Sequence, residues 1–222
     1  LWTGVPVISL DALPLPSPLF RDPSLVGLLF TVLWLGLTMN ALNWFDGVPG
    51  QTSLLSFLGF LTIGFLALSP RVAQPELAVI SFVLAGLAGG SFLFDFPPPR
   101  VIPGDTGSMF FGLMLGVLTI YAGGKVATAF LVLGVPLIDS VFVVVRRLRK
   151  GVSPFRGNAT DEHLHHRLLA RGWSSQAVIG LTAVLGASFG ITALFLSTTE
   201  KAFAAAALFL VILALSRYSA PR

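Results

Sequence analysis

All three histidines of the chain lie within residues 163–166, in the segment "DEHLHHRLLARG". If this segment forms an amphipathic helix, His163 and His166 share a face and His165 points away from them. Imidazoles beside arginines can donate hydrogen bonds to phosphate oxygens, which favours a binding site for a nucleotide diphosphate. A zinc site is an alternative, although zinc needs three or four converging ligands and the chain has no cysteine. A plain interfacial helix is the third interpretation, but such a helix would normally carry Lys or Arg.

A second polar segment, "NALNWFDG" (40–47), places Asn40, Asn43 and Asp46 at intervals of three residues. This spacing puts them on one side of a helical turn, where a carboxylate can bind a hard cation or act as a base. The alternative is an ordinary helix end, because Asn, Asp, Gly and Pro are common turn residues. Polar side chains at a membrane edge are costly unless they are paired, which raises the case for a functional role.

A third segment, "PGDTGS" (103–108), brackets Asp105 with Gly104 and Gly107 where a helix is predicted to begin. The backbone N–H groups at a helix N-terminus favour anions. A carboxylate there can hold Mg²⁺ beside a diphosphate, since Mg²⁺ is usually bound by one or two carboxylates and substrate phosphate. A simple N-cap is the alternative, but a cap needs one such residue rather than a set framed by glycines.

Other polar residues carry weaker signals. Asp139 lies in the apolar segment "PLIDSVFVVV", where a carboxylate is either functional or in contact with a Ser or Thr of a neighbouring helix. Asp95 is interpreted as marking the end of an apolar span. The basic run 146–150 is interpreted as a topogenic stop at the membrane surface.

The elements that must position these residues are apolar helices. Of the 222 residues, 55% are hydrophobic and 11% are charged, whereas a soluble domain carries about 25% charged residues. This composition predicts an all-α integral membrane protein, a polytopic helical bundle that forms one domain over residues 1–222. The seven predicted spans are 24–43, 52–69, 77–94, 107–122, 126–145, 176–196 and 202–216. The basic isoelectric point reflects cationic loops, so nucleic acid is not an expected partner.

The distribution of Lys and Arg predicts which ends of the spans face the cytoplasm. With the basic, histidine-containing loop 146–175 in the cytoplasm, that side carries ten cations and the opposite side four. The positive-inside rule favours this orientation. All three polar segments then lie on the cytoplasmic face, as expected of an active site at the membrane surface. The Pro-rich residues 1–23 would lie outside, as a short extended hairpin.

The polar segments, their order and their common side resemble the polyprenyl-phosphate N-acetylhexosamine-1-phosphate transferases of the glycosyltransferase 4 type. The resemblance rests on "NALNWFDG", "FDFPPPRVIPGDTGSMFFG", "PLIDSVFVVVRRLRKGVSPF" and "DEHLHHRLLARG", and it extends from about residue 31 to 180. It implies a multi-pass enzyme of the bacterial inner membrane whose active site is cytoplasmic. The implied reaction transfers a sugar-1-phosphate from a UDP-N-acetylhexosamine such as UDP-GlcNAc to undecaprenyl phosphate, with UMP as the second product. This is the first membrane step in the biogenesis of cell-wall and other envelope polysaccharides.

The resemblance also implies roles for individual residues. Asp105 matches the family's magnesium-binding aspartate, with Mg²⁺ as the cofactor and Mn²⁺ as an alternative, and Asp46 matches an aspartate at the mouth of the active site. Asn40 and Asn43 match a polar pair near the uridine diphosphate. His163, His165 and His166 match the histidine motif that grips the nucleotide-sugar diphosphate. Arg167 is expected to assist in binding the same diphosphate through its positive charge beside these histidines.

The sequence departs from the family pattern in two places. The family carries an adjacent aspartate pair upstream, and residues 1–30 contain none, which leads us to expect an N-terminally truncated fragment. Pro49 stands where the family often has a second aspartate of its Asp-Gly-x-Asp-Gly loop. Two alternatives remain open: a phospho-N-acetylmuramoyl-pentapeptide transferase, and a membrane homologue that has lost its activity. A homodimer is also left open.

Overall fold

The structure is a computed structural model that describes residues 23–70, 72–122, 126–153 and 162–220. Within these residues the chain forms helices and no strands, which confirms the predicted all-α fold. The helices are α1 (Pro23–Phe45), α2 (Gln51–Leu68), α3 (Pro75–Asp95), α4 (Gly104–Tyr121), α5 (Val126–Val132), α6 (Gly134–Arg149), α7 (Leu164–Ala170), α8 (Ser175–Phe195) and α9 (Thr198–Tyr218). The hairpin predicted for residues 1–23 falls almost entirely outside the described residues.

Every predicted span corresponds to helical structure. Within the described residues, five stretches are long and apolar enough to cross a membrane: Gly27–Phe45, Gln51–Leu68, Pro75–Asp95, Ser175–Phe195 and Thr199–Tyr218. The predicted span 107–122 corresponds to α4. The chain is therefore a polytopic membrane protein.

The predicted span 126–145 is not one continuous helix, so that prediction was wrong in its detail. The chain divides into α5 and α6 at Leu133. Pro136 explains the break, because proline has no N–H to donate and its ring clashes with the carbonyl of the residue four positions earlier. The helical pattern resumes where the Leu137 N–H donates to the Leu133 carbonyl at 3.0 Å. The break begins a separate helix, α6, which carries Asp139 and ends in the basic run.

Helix α2 lies at the centre of the bundle and is the most buried of the membrane-spanning helices. It packs mainly against α3 and α8. Small residues allow this close contact, because a Cβ on Gly186 would lie 2.7 Å from Leu55 and one on Gly190 would lie 2.9 Å from the Thr62 hydroxyl. Close contact between α8 and α2 at these glycines therefore stabilises the centre of the bundle, together with the packing of apolar side chains.

Helices α1 and α4 approach each other even more closely and run in opposite directions. A Cβ on Gly112 would lie 2.6 Å from the Thr38 carbonyl oxygen, so only glycine fits there. One end of the contact is fixed by Trp34, whose Nε1 donates to Thr119 Oγ1 at 3.1 Å. This tight crossing fixes the register between the last turn of α1 and the first turn of α4, where two of the polar segments lie.

The alternation of the helices gathers the polar segments at one end of the bundle. This end, which we call the motif end, carries the end of α1, the start of α2, the end of α3, the start of α4, the end of α6 and all of α7. At the opposite end the connections are short, and Lys201 Nζ donates to Thr128 Oγ1 at 2.8 Å. The predicted gathering of the motifs at one end is therefore present in the fold.

Candidate active site

Asn43 joins the first polar segment to the second. Its Nδ2 donates to Asp105 Oδ1 at 3.1 Å and to Ser108 Oγ at 3.1 Å. Asp105 lies in the first turn of α4 and is exposed, while Ser108 is buried. The pairing holds the Asp105 carboxylate at the motif end in a defined orientation, close to the N-terminus of α4.

Asp46 follows α1 directly and opens the loop 46–50. Burial raises the pKa of its carboxyl to about 6, while the Thr52 hydroxyl lowers it and the nearby carboxylates of Asp95 and Asp105 raise it further. The loop ends at Gly50, whose φ of 87° favours glycine and turns the chain into α2. Three carboxylates thus share one region, where a bound cation would relieve their mutual repulsion.

Asp95 is fully buried, which its interpretation as the mere end of a span did not anticipate. Its Oδ2 accepts a hydrogen bond from Ser53 Oγ at 3.0 Å, and Ser53 lies 3.2 Å from Ser91 Oγ. Its Oδ1 is buried and has no hydrogen-bond partner among the described residues. In the sequence, Asp95 is a carboxylate in the last turn of an apolar helix. How deeply such a carboxylate is buried depends on the neighbouring helices, which the local sequence does not show.

The histidine motif is arranged differently from the sequence prediction. Helix α7 begins at Leu164, and His163 is its N-cap with extended backbone, φ −77° and ψ 148°. The prediction that His165 points away from the other two histidines was wrong, because His163 is not helical. The His165 ring centroid lies 5.7 Å from that of His163 and 4.2 Å from that of His166. His165 is buried between two half-buried neighbours.

Asp139 fixes the start of the histidine motif. Its Oδ2 lies 2.9 Å from His163 Nδ1, and its Oδ1 accepts a hydrogen bond from the Leu164 N–H at 3.1 Å. Of the two alternatives open for Asp139, a contact with a Ser or Thr is therefore not the one that the structure shows. An ionised carboxylate only accepts, so Nδ1 of His163 carries the proton and Nε2 is left for another partner.

The loop 46–50 touches the histidine motif directly. A Cβ on Gly47 would overlap Nε2 of His165 and would lie only 2.7 Å from Nε2 of His166. Phe45 packs edge-on against the His165 ring, with centroids 5.6 Å apart. The acidic segment and the histidine segment therefore form one continuous surface at the motif end.

The basic run 146–150, interpreted as a topogenic stop, also anchors the histidine segment. Arg147 Nε donates to Glu162 Oε2 at 2.6 Å, Lys150 Nζ donates to Oε1 at 3.4 Å, and Arg146 Nη2 donates to the Glu162 carbonyl at 2.7 Å. Burial alone would raise the pKa of Glu162, but the hydrogen bonds and charges of Arg147 and Lys150 lower it below its ordinary value. The chain immediately before His163 is thereby tied to the end of α6.

Arg167, expected to assist diphosphate binding, is placed against the last helix. Its Nη2 donates to the Ser216 carbonyl at 2.9 Å and to Ser216 Oγ at 2.8 Å. One turn later, Arg171 donates to the Ala220 carbonyl at 2.7 Å and lies 4.8 Å above the Tyr218 ring. These contacts dock α7 onto the end of α9, and a direct contact between Arg167 and phosphate stays a prediction.

Asn43, Asp46 and Asp105 lie in a part of the chain that matches a known protein family. Residues 1–123 match the family described as Glycosyl transferase family 4. The chain belongs to this family. Both acidic segments fall within the matched residues.

Several curated relatives of this glycosyl transferase family 4 chain are identical to it at about a third of the aligned residues. A probable undecaprenyl-phosphate N-acetylglucosaminyl 1-phosphate transferase of Bacillus subtilis (strain 168) is 33% identical over 177 residues, 76% of this chain and 48% of the relative. A decaprenyl-phosphate N-acetylglucosaminephosphotransferase of Mycobacterium tuberculosis is 33% identical over 174 residues, 67% of this chain and 43% of the relative. The undecaprenyl-phosphate alpha-N-acetylglucosaminyl 1-phosphate transferase of Escherichia coli K12 is 30% identical over 187 residues, which are 75% of this chain and 48% of the relative. The chain spans about half the length of the curated relatives it matches.

An apolar groove of about 590 Å³ opens between α1 and α6 of this family member. Asn40, predicted to lie near the uridine diphosphate, is part of its wall, and its Nδ2 donates to the Gly36 carbonyl at 2.7 Å within α1. The rest of the wall is formed by Val32, Leu33, Gly36, Leu37, Ala41, Trp44, Ser140, Val141, Val144 and Val145. One end of the groove, at Trp44, lies beside the histidine motif, because the ring centroids of Trp44 and His163 are 6.3 Å apart.

The acidic residues suit a hard divalent cation. Among the described residues no three His, Asp or Glu side chains form a ready-made metal cage. Mg²⁺ does not need one, since it usually keeps several waters and takes one or two carboxylates plus substrate phosphate. The exposed carboxylate of Asp105, with Asp46 nearby, provides this kind of ligand set.

Proposed function

We propose that the complete protein transfers a sugar-1-phosphate from a UDP-N-acetylhexosamine to polyprenyl phosphate, giving polyprenyl-diphospho-sugar and UMP. The relatives' names indicate the acceptor and the transferred group. The observation that carries the proposal is the contact between the acidic loop and the histidine motif at Gly47. A reaction between two phosphates needs both a cation site and a diphosphate site in one place, and this contact joins the two.

The donor diphosphate would bind at the histidine motif. Asp139 holds the proton of His163 on Nδ1, and the proposed roles of His163 and His166 are to orient the diphosphate from either side of His165. The network from Glu162 to the end of α6 keeps this segment in place before substrate arrives. Rigid placement of the reacting groups contributes to catalysis by removing their freedom of orientation in advance.

Asp105 is the proposed ligand of Mg²⁺, with Mn²⁺ as an alternative ion. When bound, the cation would offset the repulsion between donor and acceptor phosphates and stabilise the charge that develops on the leaving UMP. Asn43 keeps the Asp105 carboxylate directed toward the motif end through its hydrogen bond. Asp46, whose pKa is about 6, is mostly ionised at neutral pH and adds negative charge for the cation to neutralise.

The acceptor would reach the site from the lipid. The groove between α1 and α6 is lined almost wholly by apolar side chains, which suits an isoprenoid chain. Its wall includes Trp44, beside His163, so an acceptor phosphate at that end would lie next to the histidine motif. The excess of cations on the motif side supports a cytoplasmic active site in a bacterial inner membrane protein.

The choice of donor substrate distinguishes this proposal from two alternatives, a phospho-N-acetylmuramoyl-pentapeptide transferase and an inactive homologue. The complete gene product in lipid nanodiscs would be offered UDP-GlcNAc or UDP-MurNAc-pentapeptide with polyprenyl phosphate. Transfer from UDP-GlcNAc supports the proposal, and transfer from the pentapeptide donor alone supports the pentapeptide transferase. An absence of transfer from either donor supports the inactive homologue.

Asp105→Asn tests the cation site in the same assay. The amide is nearly the same size and can still accept from Asn43, but it is a poor ligand for Mg²⁺. We expect turnover to fall by more than about a hundredfold, or roughly 2.7 kcal/mol in the barrier, with an unchanged Tm. Glu76→Gln, in the first turn of α3 at the opposite end, is the matched control and should retain wild-type turnover. Turnover of Asp105→Asn within about tenfold of wild type would show that Asp105 is not the cation ligand.

A further inference from the structure

Gln51, the first residue of α2, has an amide whose orientation is fixed by α8. Its Nε2 donates to Thr182 Oγ1 at 2.8 Å, and Thr182 Oγ1 in turn donates to the Val178 carbonyl at 3.0 Å. A hydroxyl has one proton, and Val178 receives it, so Thr182 can only accept from Gln51. The NH₂ group of Gln51 must therefore face α8, and its Oε1 faces the other way.

This Oε1 is a buried acceptor that needs a donor. Gln51 is 1% exposed, and its Oε1 has no hydrogen-bond partner among the described residues. Buried side-chain polar atoms nearly always have a partner, in the protein or in an ordered water. The donor must come from a group that lines the same space.

His165 supplies the matching group. It is 1% exposed, and neither of its ring nitrogens has a partner among the described residues. Burial, together with the neighbouring His166 and His163, lowers the pKa of His165 well below its ordinary value, so the ring is neutral. A neutral imidazole carries one N–H donor and one bare acceptor nitrogen, and the surroundings decide which nitrogen is which.

Gln51 and His165 line the same small cavity, behind the histidine motif. Its volume is about 10 Å³, and Thr182 and Leu168 also form its wall. A cavity holds one water molecule from roughly 10–15 Å³ upward when polar partners are present. The two unpaired side chains are the polar partners that such a water needs.

The orientation of the His165 ring identifies the donor nitrogen. A Cβ on Gly47 would meet Nε2 and Cδ2 of this ring, so that edge faces the loop 46–50. Nδ1 lies on the other edge, turned away from Gly47. We propose that an ordered water accepts a hydrogen bond from Nδ1–H of His165 and donates one to Gln51 Oε1, which makes Gln51 a positioning residue for the histidine motif.

The bridge has a consequence for the site. It holds the proton of His165 on Nδ1, which leaves Nε2 as a bare acceptor on the side where Nε2 of His166 also lies. In this state His165 has no N–H on the edge that faces the loop 46–50, so it cannot donate from Nε2 to the diphosphate. The catalytic part of this inference rests on the proposed function, whereas the protonation state of His165 does not.

The test is ¹⁵N NMR of histidine-labelled complete protein in nanodiscs, with His165 assigned from the signal lost in His165→Gln. We expect the wild type to carry its His165 proton on Nδ1 between pH 6.5 and 8. We expect Gln51→Met, which keeps the side-chain length but removes the acceptor, to move this proton wholly or partly to Nε2. Gln51→Glu, which retains an acceptor, should keep it on Nδ1. A wild-type proton on Nε2, or an unchanged Nδ1–H in Gln51→Met, would overturn the proposal.

Transfer kinetics provide the second readout. Gln51→Met should raise the KM for the UDP-sugar about tenfold with a smaller change in kcat, and Gln51→Glu should restore KM to within about threefold of wild type. Thr62→Val, which removes a polar group elsewhere in α2, is the matched control and should leave KM unchanged. If Gln51→Met does not fold, Thr182→Val, which frees the amide to rotate, should give the same change in the NMR signal. The NMR result stands without turnover, so a failure of the proposed function is distinguishable from a failure of the bridge.

Discussion

Replacing Gly47 by alanine adds one carbon between the acidic loop and the histidine motif. The new Cβ would overlap Nε2 of His165 and lie 2.7 Å from Nε2 of His166, whereas ordinary contacts begin at 3.4 Å. His166 must therefore recede by about 0.7 Å, and His165 by more. The backbone of Gly47 is not in the left-handed region, so alanine is tolerated apart from this contact.

The displacement sets the expected loss of activity. A misplacement of about 1 Å in a catalytic site can cost about a hundredfold in rate, so Gly47→Ala should lower kcat/KM by roughly ten- to a hundredfold. Overpacking should also cost about 1–3 kcal/mol of stability, or several degrees of Tm. Gly180→Ala, with nothing within 4 Å of its new Cβ, is the matched control and should remain active.

The assay is sugar-phosphate transfer by purified protein in nanodiscs, with Tm measured on the same samples. A folded Gly47→Ala protein whose kcat/KM lies within about twofold of wild type would refute the reasoning. Such a result would mean that the contact between the loop and the histidine rings does not position the site.

Two further predictions follow from the carboxylates. The folded pKa of Asp46, about 6, lies above its ordinary value of 3.8, so its ionisation opposes folding, and its contribution to stability falls as pH rises from about 4 to 6. In metal-free buffer, Asp46→Asn should make stability less dependent on pH than in the wild type, and the variant should not transfer sugar-phosphate. Thermal unfolding of both proteins at pH 4.5 and 7.5 measures the pH dependence. An identical pH dependence in the variant would contradict the burial of this carboxyl. Asp139→Asn presents an NH₂ group to His163 or to the Leu164 N–H, so we expect kcat/KM to fall by roughly ten- to a hundredfold, as for other groups that orient a functional histidine. Unchanged kinetics in Asp139→Asn would show that His163 needs no carboxylate partner.

The sequence was sufficient for the architecture and for the gathering of the polar segments at one end of the bundle. Apolar runs predicted the spans, and the charge distribution predicted that Asn43, Asp105 and the histidines gather at one end of the bundle. Both inferences depend on how side chains partition between the apolar bilayer core and water. This preference acts on every residue of a span, so the amino-acid composition is enough to predict it. The contact of Asn43 with Asp105 follows once α1 and α4 are antiparallel and closely packed.

The sequence was not sufficient for features that depend on a few contacts between distant segments. The burial of His165 depends on helix α7 beginning at Leu164, which Asp139, 25 residues earlier, helps to fix. The placement of Arg167 depends on Ser216, 49 residues later, which no local pattern reveals. Pro136 did signal the break between α5 and α6, although a proline inside an apolar run is also compatible with a kinked continuous helix.

The position of a phosphorus label shows most directly whether this site transfers a sugar together with its phosphate. The complete gene product in nanodiscs would be supplied with Mg²⁺, polyprenyl phosphate and UDP-GlcNAc labelled with ³²P in its β-phosphate, beside Asp105→Asn. We expect the label to enter the lipid fraction and unlabelled UMP to be released in equal amount, whereas the variant should form neither product. Label recovered as free UDP would show that the sugar moves without its phosphate. That outcome, or transfer by Asp105→Asn at the wild-type rate, would contradict the proposed sugar-1-phosphate transfer at this site.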